Sequence, residues 1–358
     1  MTLEQRVEAL ERTLAARAAA EQPVSYYTSR YSGEEIDERL SLWDMPQLAL
    51  ANLGAGVRPN LLHNPYFVGG GSQQGGEQLP INQTGATSWT GSSSYVNLFD
   101  RWLGYVAGGG AEFKLTEEGL ALPSFGSNIS VVHRMPYSNA AMVGKTYTIS
   151  AIIGGELITA TGKVTATSAT TTFFSGKGSN GTLVRLRYSA TNGMFFEVVY
   201  PPNEGETVAY CKLEEGEGQT LAYKDSNSAW HLLPQPDMDY GTQLLKCQRY
   251  LFNPISRVDA VAPIGYGWVQ TDTTAVIYVP TPPMRPGVNS VLIQSGTLYI
   301  ESTSGAGPGA IAATGIELNT QTDNMAKLLV TGSGFPVGQG VGLQVRDRNA
   351  VLMFSRQL

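Results

Sequence analysis

The chain has 358 residues and a formal net charge of −6, and only 15% of its residues are charged. This length allows two domains, each with its own core. The acidic balance argues against nucleic acid as a partner, because nucleic-acid-binding domains carry basic patches. No run of about 18 apolar residues is present, so membrane insertion is not expected. The charged N-terminus lacks the apolar segment of a signal peptide.

Composition favours strands over helices. The 41 glycines and 19 prolines point to many short strands joined by turns. We therefore predict a mainly β protein with two antiparallel β-sandwich (jelly-roll-like) domains, preceded by a short α-helical coiled-coil stalk. The three predicted regions are residues 1–59, 60–253 and 254–358.

The stalk is predicted from an apolar seam in residues 1–21. Leu3, Val7, Leu10 and Leu14 are spaced four, three and four residues apart, as at the a and d positions of a coiled coil. A helix of about three heptads is marginal alone, so this seam favours oligomerisation. The alternative is a single amphipathic helix packed on its own chain.

A second helix is predicted after a capping box. The hydroxyl of Ser32 can accept from the amide of Glu35, and Glu35 can reach back. The a and d positions of this helix are Ile36, Leu40 and Trp43. Residues 47–59 then read as a connector into the first sandwich.

The first sandwich is predicted from alternating strands. Thr146–Ile153 alternates polar and apolar residues, as a strand with one solvated face does. Gly69–Ser94 is polar and glycine-rich, which predicts a surface loop. The candidate strands are 101–107, 111–115, 119–122, 129–135, 145–154, 156–166, 182–189, 193–200, 206–214 and 219–223.

A short helix and a second sandwich follow. Residues 242–252 have Leu244, Leu245 and Leu251 at helical spacing, which predicts an apolar brace between the domains. The candidate strands of the second domain are 266–270, 274–279, 289–294, 297–302, 310–318, 325–331, 341–346 and 350–355.

Several motifs together resemble one family. They are Asn60-Leu-Leu-His-Asn-Pro-Tyr-Phe67, Phe99-Asp-Arg-Trp102, Ala209-Tyr-Cys-Lys-Leu-Glu-Glu-Gly216, Asp239-Tyr240 with Cys247-Gln-Arg-Tyr250, Pro263-Ile-Gly-Tyr-Gly-Trp268 and Pro283-Met-Arg285. In this combination the chain, over about residues 60–358, resembles bacteriophage tail-fibre and receptor-binding proteins with carbohydrate-binding-module-like sandwiches.

The resemblance implies a function and a set of partners. It implies a homotrimeric fibre on the virion, assembled in the host cytoplasm and joined to other virion proteins through its N-terminal region. It also implies attachment to a bacterial surface polysaccharide without catalysis. The alternatives are a head (capsid) or baseplate fibre with a structural role, or a glycan depolymerase spike.

Catalytic patterns are weak, so we do not expect an enzyme. Glycan cleavage uses paired carboxylates, and no GxSxG nucleophile elbow is present. The candidate carboxylates, which read more simply as solvated turns, are Glu214, Glu215, Glu217, Asp237 and Asp239.

Aromatic residues in polar contexts are the candidate ligand contacts, because sugar rings stack on exposed aromatic side chains. Trp102 and Trp268 are expected in the core instead. For the candidates, ligand contact and packing at a trimer interface are both open. They are Trp89, Tyr95, Tyr137, Trp230 and His231.

Cysteine and metal chemistry are expected to be minor. Cys211 and Cys247 form no CxxC motif, and with three histidines a Cys/His metal site is not expected. A disulfide between them stays open, but assembly in a reducing cytoplasm favours two buried thiols. No cofactor is predicted. A weak Ca²⁺ alternative would use Asp225, Asn227, Asp237 and Asp239.

Overall fold

A computed structural model describes residues 56–69, 79–135, 139–202, 205–254, 262–284, 290–302, 309–322, 324–345 and 351–355. Over these residues the chain is mainly β and its paired strands are antiparallel, as the sequence predicts. No helix in this part of the chain is long and apolar enough to cross a membrane. The predicted stalk positions lie outside the described residues; they are Leu3, Val7, Leu10, Leu14, Ile36, Leu40 and Trp43.

The first domain carries strands β1 to β14 and two helices. The strands are β1 (Ser88–Thr90), β2 (Val96–Asn97), β3 (Trp102–Val106), β4 (Glu112–Thr116), β5 (Gly119–Leu122), β6 (Ile129–Arg134), β7 (Thr146–Ile153), β8 (Glu156–Lys163), β9 (Thr171–Lys177), β10 (Leu183–Ser189), β11 (Gly193–Tyr200), β12 (Glu206–Glu215), β13 (Ala222–Lys224) and β14 (Trp230–Leu232). The helices are α1 (Asn139–Met142) and α2 (Tyr240–Gln248).

Two six-stranded sheets form a sandwich. The first sheet has the order β1-β4-β5-β12-β7-β8, and the second has the order β2-β3-β6-β11-β10-β9. Phe113 and Leu213 from the first sheet pack with Trp102 and Phe196 from the second, and none of the four is exposed. Such side chains bury apolar surface at roughly 25 cal/mol per Å². The core therefore holds the sheets face to face.

The opening motif of the domain is a buried polar clamp. Asn60 donates from Nδ2 to the carbonyl of Cys211 at 2.9 Å. Asn64 donates to the carbonyls of Ile81 and Asp100, at 2.7 and 2.9 Å. The indole Nε1 of Trp102 donates to the carbonyl of Asn64 at 2.7 Å. These buried donors and acceptors satisfy one another, so the motif fixes this non-strand segment to β12 of the first sheet and to β3 of the second.

Helix α2 is anchored by a polar side chain. Asp239 caps it by accepting from the amide of Thr242 at 2.7 Å. Gln243 and Cys247 are its buried residues. Leu245, predicted to pack on the sandwich, is 62% exposed. That prediction is wrong, because the face of α2 turned to the protein carries Gln243 rather than the leucine.

The second domain carries the remaining strands in two sheets, with orders β15-β24-β18 and β20-β19-β23-β16-β17-β22-β21. The strands are β15 (Leu251–Phe252), β16 (Ala262–Thr271), β17 (Thr274–Pro280), β18 (Ser290–Ser295), β19 (Leu298–Ser302), β20 (Ile311–Ala312), β21 (Gly315–Thr322), β22 (Met325–Thr331), β23 (Gly340–Val345) and β24 (Val351–Ser355).

The core of the second domain joins its sheets. Ile277, Leu343 and Phe354, from three different strands, are fully buried in it. Trp268 is different, because its side chain is 45% exposed and lies 5.8 Å from the ring of Tyr278. The expectation that Trp268 is a core residue is therefore wrong. Its position alternates with buried Val269, which takes the inward place.

Buried amides connect the first sandwich to the start of the second domain. The carbonyl of Gln83 accepts from Asn253 Nδ2 at 2.8 Å, and Gln83 Nε2 donates to the carbonyl of Leu251 at 2.7 Å. The backbone amide of Gln83 also donates to the buried carboxylate of Asp100 at 2.8 Å. The predicted surface loop Gly69–Ser94 thus contains a buried anchor, and Ile81 is 1% exposed.

Both cysteines match the prediction. Cys211 and Cys247 are free thiols, and neither is exposed. Burial raises the pKa of each thiol well above its ordinary value. The two residues are packing groups of β12 and α2.

Candidate functional site

The outer face of the second sheet concentrates charged and aromatic side chains. Strand β10 alternates, so that Val184 and Leu186 enter the core while Arg185 and Arg187 point outward. The neighbouring strand β11 sends Phe196 inward, and its outward position opposite Arg185 is Glu197. Strand alternation therefore brings two arginines and one carboxylate to the same face.

The two arginines share one oxygen of this carboxylate. Arg185 Nε lies 2.8 Å from Oε2 of Glu197, and Arg187 Nη1 lies 3.2 Å from the same oxygen. The Glu197 side chain is 4% exposed, whereas those of Arg185 and Arg187 are 23% and 24% exposed. Glu197 thus lies at the floor of the face, and the arginines extend from it toward solvent.

An apolar floor supports these groups. Phe195 and Val132 also point outward, from β11 and β6, yet they are only 3% and 1% exposed. The guanidinium carbon of Arg187 lies 5.2 Å from the ring centroid of Phe195. Cation–π contacts of this kind add a modest attraction. The floor therefore limits the freedom of the Arg187 side chain.

Tyrosines complete the face on the side of β2 and β3. The rings of Tyr95 and Tyr105 lie 5.6 Å apart, and the guanidinium carbon of Arg134 is 5.5 Å from the Tyr95 ring. Partial burial raises the pKa of Tyr95, and the Glu197 carboxylate adds to the rise. The charges of Arg187 and Arg134 oppose it. Tyr95 therefore senses the charges of Glu197, Arg187 and Arg134.

We call this group the arginine face. It consists of Tyr95, Tyr105, Arg134, Arg185, Arg187 and Glu197. It offers aromatic surface beside fixed guanidinium donors. Glu197 is already engaged by two cations, Arg185 and Arg187.

Of the predicted ligand residues, Tyr95 belongs to the arginine face and is 38% exposed. Trp89 lies on strand β1, half-buried, with its ring 5.9 Å from that of Phe99. It packs on the main core. Trp89 therefore has a packing role within its own chain, and its contact with ligand stays a prediction. Tyr137 lies outside the described residues.

Trp230 and His231 lie on the other side of the sandwich. Trp230 packs against the cluster around Ile152, on the outer face of the first sheet. His231 is exposed, stacks on Tyr223 at 5.4 Å, and places Nε2 2.9 Å from Oδ2 of Asp225. The structure therefore does not unite these two residues with Tyr95 in one site.

Two of the carboxylates weighed for catalysis, Glu214 and Asp237, have structural partners. Glu214 is buried and contacts Arg58 Nε at 3.0 Å and Lys212 Nζ at 3.6 Å. Burial lowers the pKa of Lys212 to about 8. Asp237 accepts from the hydroxyl of Tyr66 at 2.7 Å. These contacts serve the packing of the domain.

The residues weighed for Ca²⁺ are likewise bonded within the protein. Asp225 accepts from the amides of Asn227 and Ala229, at 2.9 and 2.8 Å. Asp239 is the cap of α2. Among the described residues, no group of three or more His, Cys, Asp or Glu side chains is arranged to hold a metal ion.

Sequence reasoning missed most of the arginine face. It found Tyr95 from its polar context, but not the strand residues Arg185, Arg187 and Glu197. A signal was present, because Leu183-Val-Arg-Leu-Arg187 places both arginines on the face opposite the core residues. A glutamate inside the apolar run Met194-Phe-Phe-Glu-Val-Val199 needs a cation nearby.

No protein-family model matches the chain. No curated protein matches it significantly either. The resemblance to phage fibre proteins therefore rests on the motifs quoted from the sequence.

Proposed function

We propose that this chain is a non-catalytic fibre protein of a bacteriophage-like particle, and that its arginine face binds a bacterial surface glycan. The motif resemblance over residues 60–358 supports the fibre role. The arginine face is the observation that carries the binding role. Tail, head and baseplate positions on the virion all fit this proposal.

The chemistry of the face suits a sugar. A pyranose ring presents C–H groups that pack on aromatic faces such as those of Tyr95 and Tyr105. Its hydroxyl oxygens accept hydrogen bonds from guanidinium groups. Tyr105 and the guanidinium groups of Arg134, Arg185 and Arg187 stand on paired strands of one sheet, which places them more precisely than loop positions would.

Binding without cleavage is supported by the same side chains. Two-carboxylate hydrolysis requires carboxyl groups about 5–10 Å apart on either side of the scissile bond. Among the described outward positions of β2, β3, β6, β10 and β11, Glu197 is the one carboxylate. Both contacts of this carboxylate are to arginines of the same face, Arg185 and Arg187.

The proposal includes a homotrimer that attaches to other virion proteins through residues 1–59. Three copies would present three identical faces to one cell surface. The second contact is then made at a high effective concentration, which strengthens the weak binding of single sugars.

Glycan-array binding of the purified protein tests this function. The wild-type chain is compared with Tyr95→Ala, which removes the most exposed ring of the arginine face. We expect at least about five-fold weaker binding, equivalent to about 1 kcal/mol. The melting temperature should hold, because the Tyr95 side chain is partly exposed.

Two further variants locate the site. Tyr266→Ala removes a tyrosine that is 58% exposed in the second domain, and it should bind as the wild type does. Trp230→Ala tests the other predicted aromatic site. Binding lost in Trp230→Ala and kept in Tyr95→Ala would place the site on the hairpin β13–β14 and refute the arginine face.

A further inference from the structure

The arginine face carries more positive charge than its own carboxylate can neutralise. Arg185 and Arg187 both bind Oε2 of Glu197, so two guanidinium groups share one negative charge. This local excess of positive charge contrasts with the formal net charge of the whole chain, which is −6. The local positive charge is therefore a property of this face.

The donors of Arg187 are also incompletely used. Its Nη1 contacts Glu197, whereas its Nε is buried without a hydrogen-bond partner among the described residues. About a quarter of both arginine side chains remains exposed, so a ligand can reach them from solvent.

Building on the proposed glycan function, we propose that the ligand is an acidic glycan and that Arg187 and Arg185 bind a sugar carboxylate. A guanidinium group matches the planar carboxylate with two parallel N–H···O bonds. A ligand carboxylate would balance the second arginine as Glu197 balances the first. Tyr95, whose ring centroid lies 5.5 Å from the guanidinium carbon of Arg134 on the same face, would carry the sugar ring.

The geometry favours a carboxylate-bearing sugar over a neutral one. The hydroxyl groups of a neutral sugar leave the excess charge of the arginine pair in place. A sugar carboxylate adds the attraction between opposite charges to its hydrogen bonds with the guanidinium groups, so it should dominate recognition. Uronic and sialic acids are the sugars of this class.

Affinity electrophoresis of the full chain tests the inference. The probes are polygalacturonate, hyaluronan and polysialic acid, each run beside its carboxyl-reduced form. We expect retardation by at least one acidic polymer, and at least about ten-fold weaker binding to its reduced form. Arg187→Gln should weaken binding to the acidic polymer by a similar factor. Arg187→Lys, which keeps the charge but not the planar donor pair, should fall between the two.

Lys114→Gln is the matched control. It removes one positive charge from an exposed pair with Glu112 on the first sheet, and it should leave retardation unchanged. Single-stranded DNA is a second control. Equal retardation by DNA would show a general polyanion surface and would overturn the inference.

The outcomes distinguish acidic specificity from glycan binding itself. Equal binding of acidic and reduced polymers, lost in Tyr95→Ala, would keep the glycan site and overturn its acidic specificity. Binding only to neutral glycans would do the same. Retention of every polymer by Tyr95→Ala would refute the arginine face as the site. A wild-type chain that binds none of the polymers would contradict both proposals.

Discussion

The side-chain oxygen of Gln243 accepts a hydrogen bond from the backbone amide of Asn64 at 2.8 Å, across 179 residues of sequence. The Nε2 of the same glutamine donates to the carbonyl of Asp237 at 2.8 Å. Both Gln243 and Asn64 are fully buried. One glutamine of α2 thus ties the end of the first domain to its opening motif.

Gln243→Ala should destabilise the protein, because it leaves the buried amide of Asn64 without an acceptor. We expect a loss of about 1–3 kcal/mol in the free energy of unfolding. Urea unfolding measures it. Leu245→Ala, on the exposed side of the same helix, is the control and should change the free energy by less than about 0.5 kcal/mol. The reverse order would mean that the apolar side of α2 holds the helix.

Acid should weaken the fold from about pH 6.5 downward. Burial lowers the pKa of His63 to about 3, and that of His133 well below 6.5. Below pH 6.5 the unfolded chain binds protons at these histidines that the folded chain does not, so stability falls as pH falls. Burial raises the pKa of Asp100 to about 6. Between about pH 6 and 4 the folded chain holds this proton and the unfolded chain does not, so Asp100 opposes the loss of stability there. Asp100 is one group against two histidines, so the net stability should still fall.

Urea midpoints at pH 7 and pH 4.5 check this dependence. His133→Gln keeps a side-chain acceptor for the amide of His63, which donates to His133 Nε2 at 3.1 Å. The variant removes one of the two titrating histidines, so its urea midpoint should change less between pH 7 and pH 4.5 than that of the wild type. A variant as pH-sensitive as the wild type would show that these histidines do not govern acid stability.

The cysteines should react only after unfolding. Cys211 and Cys247 are fully buried and their pKa values are raised, so little thiolate is present and no reagent reaches it. Iodoacetamide treatment without reductant, followed by mass spectrometry, should find both thiols unlabelled in the folded protein. After denaturation both should label fully. A disulfide-linked peptide joining the two residues would refute this expectation.

The N-terminal seam should control assembly. Leu10→Asp with Leu14→Asp places charges at the a and d positions, so the mass measured by sedimentation should fall from a trimer toward a monomer. Gln5→Asp with Ala9→Asp adds the same charges outside the seam and should keep the trimer. A wild-type monomer would exclude the proposed homotrimer. A double seam variant of unchanged mass would place the trimer contacts in the sandwiches.

The regular strands were predictable from sequence because period-two alternation reports a sheet with one buried face. Residues 193–200 were predicted as a strand, and β11 spans Gly193–Tyr200. Strand β9, Thr171–Lys177, was missed because Thr, Ser and Gly in and around it hide the alternation. Short strands such as β1 form because they pair with another strand, and the local sequence pattern does not show that pairing. They were therefore not predicted.

The candidate site was predicted only in part. Tyr95 was found because a large aromatic residue in a polar loop has no local reason to be there. Trp89 met the same criterion, but Phe99 and the core cover part of it. Arg185 and Glu197 face each other across the consecutive strands β10 and β11, so the alternation of those strands carried a signal for this pair. Arg134 and Tyr105 join the face from β6 and β3, and the order of these strands in the sheet is not contained in the local sequence.

Hydroxyl-radical footprinting with and without the acidic polymer that is most retarded reports directly which aromatic side chains the polymer covers. We expect bound polymer to slow modification of Tyr95 and Tyr105, while Tyr266 and Trp268 in the second domain react at unchanged rates. Unchanged rates at Tyr95 and Tyr105, with protection of Trp268 or Trp230 instead, would contradict the arginine face as the binding site.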